Sequence, residues 1–381
     1  MNTSTPDRGL ALPALNGANP LGFLAALGAL VVVRKSGYPN ACLAWRQETH
    51  WVPVLFGLGS HDEQQIADAI ATDLRGNKVT AQADIEREAA QRLFDGSKKA
   101  FKDKLADIKK RKLKGAARTA AFSAEVLSLE QAMKEKRGTW LTALKRAVPS
   151  EELALGKHID CTPAEYCDHA SAFLSSASNT SRFSIDLLAA FGSDAATDKY
   201  GRIGSTPFCF ITGSGHQYFL DTVRLLIEQA TAARVHQALL APWEYRDEKL
   251  SMRWDPAEDR RYALMDRDPT ASDNKSRTVW MANLLAYRSL VLFPSAATTR
   301  RLETTGWTET ESGPVFTWPI WKEPLRPEVI QSLLQLENLK EEKLNHSQLR
   351  ERGVVTAFRS RRIQVGNPPL HKINFTPAQG L

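Results

Sequence analysis

The sequence contains little cysteine and no long apolar run. Four cysteines in 381 residues, without the paired spacing of a disulfide framework, argue against a small secreted scaffold and indicate a reducing compartment. The apolar run LGFLAALGALVVV at 21–33 has 13 residues, whereas a helix that crosses a bilayer needs about 20. The run also lacks the basic region and cleavage site of a signal peptide. We therefore expect a cytoplasmic protein that does not use a membrane as a partner.

Familiar catalytic signatures are also missing. The sequence has no phosphate-binding GxxxxGK[ST] loop, no HExxH helix motif and no GxSxG nucleophile elbow. The hydrophobic share of 43% and the charged share of 24% are ordinary for a globular protein, and nine Trp and fifteen Phe can build a sizeable core. We therefore expect a folded protein that is not an enzyme and needs no cofactor.

Composition divides the chain into four parts. Residues 1–60 read as an α+β segment, in which Asn19 caps a buried helix that has Pro20 in its first turn and stops near Gly37. Residues 61–155 are rich in Ala, Lys, Glu, Leu and Gln, which predicts a basic helical module. Glycines predict breaks between roughly four helices in this region; they are Gly76, Gly96, Gly115 and Gly138.

The second half of the chain reads as mixed structure. Residues 156–325 form a mixed α+β region with strand signals such as SRFSIDLLAAFG and PVFTWPIW. Residues 326–381 read as a C-terminal helix followed by a basic tail. The predicted fold class is α+β, with a mixed α/β body, a mainly helical insert at about 61–155 and a helical C-terminal part.

The whole charge excess lies in one stretch, KKAFKDKLADIKKRKLKG. Nine Lys or Arg against two Asp give this stretch a net charge of +7, which equals the formal charge of the entire chain. We call residues 98–114 the basic segment. As a helix it extends on the order of 25 Å, with Lys98, Lys102, Lys109 and Lys112 on one broad face. The remaining basic residues are Lys99, Lys104, Lys110, Arg111 and Lys114.

Three interpretations of the basic segment remain open. Its length and charge density fit a helix that follows a phosphate backbone. The alternatives are a solvated helix face and a surface that meets an acidic protein or a membrane. Like charges three and four residues apart destabilise an isolated helix, and this favours nucleic acid as the partner.

Two further groups are candidates for nucleic-acid contact. Arg359, Arg361 and Arg362 stand beside Phe358, and this pattern allows bidentate phosphate binding with base stacking. The alternative is a salt-bridged terminal strand or helix. His216 and Gln217 could contact base edges, although a loop that caps the following helix explains them equally simply.

Candidate metal ligands are present but irregularly spaced. Two histidines and two cysteines fall within twelve residues, and they are His158, Cys161, Cys167 and His169. Their spacing fits no familiar zinc finger. We therefore expect the two cysteines to be buried thiols and the two histidines to be surface residues, rather than zinc ligands. Asp255, Glu258 and Asp259 could bind Mg²⁺ in a metal-dependent nucleic-acid enzyme, but interleaved arginines favour an ion-pair network instead.

Several blocks resemble a known family. LNGANPLGFLAALGAL at the N-terminal end is similar to the opening of large-subunit proteins of type I CRISPR surveillance (Cascade) complexes of the G subtype, formerly U. STPFCFITGSGHQYFL, RWDPAEDRRYAL and VFTWPIW resemble further blocks of this group. The resemblance covers about forty N-terminal residues and scattered blocks from about 183 onward, and it does not cover the helical insert.

The resemblance implies a non-enzymatic DNA- and RNA-binding subunit of a CRISPR effector complex, with antiviral defence as its setting. Such a subunit helps to recognise the motif that flanks the target and holds the opening duplex or the displaced strand. Its partners are the target DNA, the guide RNA and the other subunits, and a separately recruited helicase-nuclease cuts the DNA. The chain is short for a large subunit.

Overall fold

The structure, a computed structural model, describes residues 9–60, 62–159, 161–175, 179–198, 200–211, 217–259, 277–299, 301–365 and 372–381. It contains helices and several antiparallel sheets, which confirms the predicted α+β class. The chain divides into two compact units. Unit 1 comprises Met1–Gly76 and Lys157–Leu381, and unit 2 comprises Asn77–Gly156.

The described helices, in chain order, are α1 (Pro20–Lys35), α2 (Glu63–Arg75), α3 (Ala81–Lys110), α4 (Gly115–Glu125), α5 (Leu127–Arg146), α6 (Pro163–Ser175), α7 (Asn179–Phe191), α8 (Phe219–Glu228), α9 (Ala232–Leu240), α10 (Trp280–Ser289), α11 (Pro327–Leu334) and α12 (His346–Glu351). The described strands are β1 (Leu10–Ala11), β2 (Cys42–Gln47), β3 (Trp51–Phe56), β4 (Gly192–Thr197), β5 (Ile203–Ser205), β6 (Asp247–Glu248), β7 (Arg277–Thr278), β8 (Ser295–Ala297), β9 (Leu302–Thr304), β10 (Trp307–Thr310), β11 (Gly313–Trp321), β12 (Val354–Val365), β13 (Lys372–Phe375) and β14 (Gln379–Gly380).

Helix α1 begins where the sequence predicts. The Asn19 side chain accepts a hydrogen bond from the Gly22 N–H at 3.2 Å, and Pro20 occupies the first turn. Asn is a favoured N-cap, and Pro lacks an N–H that the first turn would leave unpaired. The helix is buried on nearly every face, as its continuous apolar run predicts. No helix in the described ranges combines the length and apolar character needed to span a bilayer.

Aromatic side chains around α1 form the centre of the unit 1 core. Phe23 of α1 stacks on Trp45 of β2, with 5.7 Å between ring centroids, and lies 5.7 Å from the Trp318 ring of β11. Strand β3 lies between β1 and β2, while β11 lies between β10 and β12 in a second, five-stranded sheet. The Trp318 indole N–H donates to the Gly17 carbonyl at 2.8 Å. This bond ties the larger sheet to the turn that precedes α1.

Gly28 lets α1 and α10 cross at close range. A Cβ placed on Gly28 would lie 1.7 Å from the Leu285 carbonyl oxygen, a backbone atom of α10. Any residue with a side chain at this position would therefore force the two helices apart.

Unit 2 is built on two long helices that pack along each other. Phe94 of α3 stacks on Trp140 of α5, with ring centroids 5.3 Å apart and planes 8° from parallel. Ile108 and Leu144 are also buried along these two helices. Between α3 and α5 lies the short helix α4, in which no residue is buried. Helix α2 belongs to unit 1.

Three local predictions are wrong. Gly96 and Gly138 lie inside α3 and α5 rather than at breaks, because a helical Gly costs only about 1 kcal/mol and the packing of Phe94 on Trp140 offsets that cost. SRFSIDLLAAFG forms nearly all of α7 rather than a strand, and only its last residue, Gly192, begins β4, since its apolar residues also recur at helical spacing. The C-terminal part is helical only through α11 and α12, and β12–β14 follow.

Candidate nucleic-acid interface

The basic segment is helical only in part. Helix α3 ends at Lys110, and Arg111 is its C-cap. Lys112 then adopts a φ of 52°, a left-handed conformation that an α-helix cannot continue through. The predicted single helix to Lys114 is therefore wrong, and Lys112 leaves the face that the sequence assigned to it. The helical portion, 98–110, extends about 18 Å at the rise of an α-helix.

Most of the lysines of this segment face solvent. Ile108 and Phe94 turn one side of α3 into the unit 2 core, so the opposite side is exposed. Six exposed lysines form no ion pair with any residue that the structure describes; they are Lys99, Lys102, Lys109, Lys110, Lys112 and Lys114. Their ammonium groups are therefore available to an anionic partner.

Two other cations of the segment are partly neutralised by one carboxylate. Arg111 Nη1 donates to Glu125 Oε1 at 2.7 Å, and Lys104 Nζ lies 2.8 Å from Glu125 Oε2. The Arg111 hydrogen bond, followed by that of Lys104, lowers the pKa of the Glu125 carboxyl to about 2. Arg111 also donates to Asp107 at 2.5 Å. These pairs fix the end of α3 against the end of α4.

Lys98 has a different role. Its ammonium group lies 5.5 Å from the centroid of the Phe94 ring, on the edge of the α3–α5 contact. A cation over an aromatic face is stabilised by the ring quadrupole. The Lys98 side chain therefore lies along the core rather than at the centre of the exposed face.

The charge of the basic segment is also the net charge of unit 2. Unit 2 holds 18 Lys or Arg and 11 Asp or Glu, a net charge of +7. The remaining residues hold 32 of each kind, a net charge of zero. Unit 2 therefore carries a field that attracts anions, while unit 1 is electrically balanced.

The C-terminal arginines lie on β12 and differ in their surroundings. Arg359 donates to the Thr317 hydroxyl at 2.9 Å and to three backbone carbonyls at 2.6–3.2 Å, the acceptors being those of Leu339, Glu341 and Glu342. Desolvation lowers the pKa of the Arg359 guanidinium. These bonds give Arg359 a structural role, because they use the donors that a phosphate would need.

The surroundings of Arg361 and Arg362 differ from those of Arg359. The Arg362 guanidinium lies 5.4 Å from the Phe210 ring centroid and is half-buried, so desolvation lowers its pKa. Phe358 is half-buried against Trp318, at 6.0 Å between centroids. Arg361 is the exposed member of the three. We therefore place Arg361 ahead of Arg359 and Arg362 as a contact residue.

Of the two loop candidates, His216 lies outside the described residues. Gln217 is half-buried, and its side-chain oxygen accepts a long hydrogen bond of 3.5 Å from Arg253 Nη2.

The four candidate metal ligands have separate environments. His158 Nδ1 accepts the Phe219 backbone N–H at 3.1 Å, and Cys167 Sγ donates to Asp194 Oδ2 at 3.3 Å. Cys161 and His169 are buried, the latter beside Phe173. Within the described ranges, no group of three or more His, Cys, Asp or Glu side chains is placed to hold a metal ion.

The carboxylates of the possible magnesium site serve internal hydrogen bonds. Asp255 is buried and accepts bonds from the Asn19 amide, the Tyr245 hydroxyl and the Ala257 N–H, at 2.7–2.8 Å. Glu258 accepts bonds from the hydroxyls of Ser251 and Thr278. Burial, followed by repulsion from Asp255, raises the pKa of Glu258 to about 8. The side chain of Asp259 lies outside the described part of the chain.

Some relevant residues carry no signal that sequence patterns could reveal. Glu125 lies 14 positions from Arg111, and no helical or strand periodicity connects them. Arg118 on α4 is exposed close in sequence to the basic segment and extends its charge. His61 and Asp62 are adjacent in the sequence and lie outside the candidate sites. Asp62 caps α2, because its side chain accepts the Gln65 N–H at 2.8 Å. His61 lies outside the described residues.

No protein-family profile matches the chain, and a comparison with curated proteins finds no relative.

Proposed function

We propose that the protein is a non-catalytic nucleic-acid-binding subunit and that unit 2 contacts the phosphate backbone. The observation that carries the proposal is the set of six exposed lysines at 99–114 that no described acid neutralises. An anionic partner would offset the repulsion within the 80-residue unit that carries the charge of +7 of an otherwise neutral chain.

The geometry of α3 suits a phosphate backbone. Lys99, Lys102, Lys109 and Lys110 lie on the exposed side of a helix segment about 18 Å long. Duplex DNA presents one negative charge about every 1.7 Å along its axis, so several phosphates fall within reach. Lysine contacts of this kind hold and orient a strand but do not read its sequence.

The resemblance to large subunits of type I Cascade complexes supplies the biological setting of the proposal. In RNA-guided systems, base pairing reads the target sequence, while protein reads a short flanking motif and the backbone. The protein would bind target DNA and guide RNA in the cytoplasm, beside other CRISPR subunits, and help to recognise the flanking motif. It would hold the opened duplex or the displaced strand, and a separately recruited helicase-nuclease would cut the DNA.

Two alternatives are weaker. A metal-dependent enzyme would use Asp255, Glu258 and Asp259 as ligands, but the oxygens of Asp255 and Glu258 already accept internal hydrogen bonds. An interaction protein that docks an acidic partner through the basic segment would use the same lysines without nucleic acid.

The decisive experiment reverses three charges of the basic segment, Lys109→Glu, Lys110→Glu and Lys112→Glu, in one variant. Fluorescence anisotropy measures its binding to duplex, single-stranded and forked DNA across a salt series. The matched control makes the same charge change in unit 1, at the exposed residues Lys322, Lys343 and Arg352.

We expect the basic-segment variant to bind DNA much more weakly than the wild type. The slope of log affinity against log salt should become shallower by about 0.9 for each duplex phosphate that the variant no longer binds. The control should keep both the affinity and the slope. Equal affinities and salt slopes for the two variants would contradict the proposal. If only the basic-segment variant failed to bind an acidic protein partner, docking to such a partner would be favoured instead. DNA cleavage with Mg²⁺ that disappears in Asp255→Asn, while urea unfolding shows that this variant is folded, would favour the enzyme.

A further inference from the structure

A pocket of about 180 Å³ lies in unit 1, beside the end of α9 and the start of α10. Helix α9 contributes Arg234 and Gln237, and the connection from α9 to β6 contributes Trp243, Tyr245 and Arg246. Pockets that enclose drug-sized ligands measure roughly 300–1,000 Å³. The pocket therefore suits a single planar ring, with any larger group left at the rim.

The pocket has aromatic walls. Trp243 and Tyr245 stand nearly perpendicular to each other, with 6.3 Å between ring centroids and planes at 85°. The Trp243 indole N–H donates to the Ala238 carbonyl at 2.9 Å, and the Tyr245 hydroxyl donates to Asp255 at 2.7 Å. Both rings are half-buried and held in place, so little side-chain freedom is lost when a planar ligand stacks on one ring and contacts the other along its edge.

The charges that line the pocket balance. Arg246 pairs with Glu244 at 2.8 Å, and Asp247 accepts the Trp280 backbone N–H at 2.8 Å. Arg234 forms no ion pair among the described residues; its guanidinium lies 4.5 Å from the Trp280 ring centroid, and its Nη1 lacks an acceptor there. Such a lining favours a neutral ring with hydrogen-bonding edges over a polyanion.

Backbone strain is concentrated next to this pocket. Among the described residues, five non-glycine residues have a positive φ, and four of them fall within 245–253; they are Tyr245, Lys249, Leu250 and Arg253. The chain in this stretch is held by a bond from the Met252 N–H to Asn283 Oδ1 at 2.9 Å. Strained conformations that persist at this density tend to accompany functional sites.

We propose that the pocket binds the base of an unpaired nucleotide, with the base stacked on Trp243, Tyr245 against the edge of the base, and Arg234 as a cation that has no acidic partner among the described residues. The nucleotide could belong to a single strand or be a free mononucleotide, since both present the same base. The proposal does not depend on the basic segment, because base stacking is weakly sensitive to salt whereas phosphate contacts are strongly sensitive.

The test compares two labelled single strands of twelve units, one of thymidine nucleotides and one of abasic sites that carry the same phosphates. Binding is measured at high salt for the full chain and for the variants Trp243→Leu, Trp243→Phe and Arg234→Gln. Tyr200→Ala is the control, because Tyr200 is an exposed aromatic residue outside the pocket, with Arg202 over its ring.

The wild-type protein should bind the base-bearing strand about tenfold more tightly than the abasic strand, since a stacked base contributes about that factor. The ratio of the two affinities should fall close to one in Trp243→Leu, stay near the wild-type value in Trp243→Phe, and take an intermediate value in Arg234→Gln. If thermal melting shows that Trp243→Leu is unfolded, the affinity ratio of Arg234→Gln is the test of the proposal. A ratio near one in the wild type, or equal ratios in Arg234→Gln and Tyr200→Ala, would overturn the proposal.

Two further experiments complete the test. The first distinguishes a free nucleotide from a nucleotide within a strand, and the second distinguishes the pocket from the basic segment. Thymidine 5′-monophosphate that binds the wild type but not Trp243→Leu, while deoxyribose 5-phosphate binds neither, would assign a free nucleotide to the pocket. A base-dependent ratio without binding of the monophosphate would assign the nucleotide to a strand. The triple charge reversal of the basic segment should weaken both strands equally and leave their ratio unchanged, so the two proposals fail separately.

Discussion

The Asn19 side-chain amide donates a hydrogen bond of 2.8 Å to Asp255 Oδ1, across 236 positions of sequence. The same Asn19 caps α1 through its side-chain oxygen. Asp255 is buried and also accepts the Tyr245 hydroxyl. One carboxylate therefore joins the start of the central helix to the strained stretch that carries the aromatic pocket.

Replacing this carboxylate should destabilise unit 1. Asp255→Ala leaves the donors of Asn19 and Tyr245 without an acceptor, so we expect the free energy of unfolding to fall by about 3 kcal/mol. Asp255→Asn keeps one acceptor oxygen and should cost less. Urea unfolding followed by circular dichroism measures both, with the exposed Asp68→Ala as control. An unchanged unfolding energy in Asp255→Ala would contradict the structural role.

Glu258 should make stability fall as the pH rises. Its folded-state pKa is about 8 against an ordinary value of 4.5, because the site is buried and Asp255 repels its charge. Between these two values the folded state holds a proton that the unfolded state releases, so stability decreases by up to about 1.4 kcal/mol per pH unit. Glu258→Gln should abolish this component. Its stability relative to the wild type should grow between pH 5 and 8 and then level off.

The measurement for Glu258 is urea unfolding of both proteins from pH 5 to 9. A difference between them that does not vary with pH would show that Glu258 titrates normally in the folded protein.

Removing the Glu125 charge should strengthen nucleic-acid binding. Glu125→Gln frees Arg111 and Lys104 from their shared carboxylate. If both cations then reach phosphates, the salt slope should steepen by up to about 1.8. Glu135→Gln makes the same charge change at an exposed position of α5 and serves as control. Anisotropy titrations that show the same gain in both variants would mean that only net charge matters.

Two glycines inside helices should respond oppositely to alanine. Gly28→Ala places a Cβ against the Leu285 carbonyl, a backbone atom that cannot rotate away, and should cost about 3 kcal/mol. Gly96→Ala meets nothing within 4 Å, lies inside α3, and should stabilise by about 0.5–1 kcal/mol. Denaturant unfolding compares the two variants with the wild type. A loss of stability in Gly96→Ala would contradict the continuity of α3.

Predictions from the sequence succeeded where the cause is local. The cap at Asn19 with Pro20, the buried character of α1 and the strand PVFTWPIW each depend on a few adjacent residues. They failed at Gly96 and Gly138, because a weak local preference for breaking a helix was outweighed by the contact of Phe94 with Trp140, 46 residues away. The basic segment was visible in the sequence, but the helix end at Lys110 was not.

Composition and short-range chemistry were sufficient to establish the α+β class, the central apolar helix and the concentration of positive charge in one stretch. Tertiary structure determined which of those charges stay exposed, since Glu125 meets Arg111 and Lys104 only when α4 packs beside α3. It also brought Asn19 to Asp255, committed Arg359 to backbone carbonyls and assembled the pocket at Trp243 and Tyr245. These partners lie far apart along the chain, and no periodicity of helix or strand relates them, so only the packed chain brings them together.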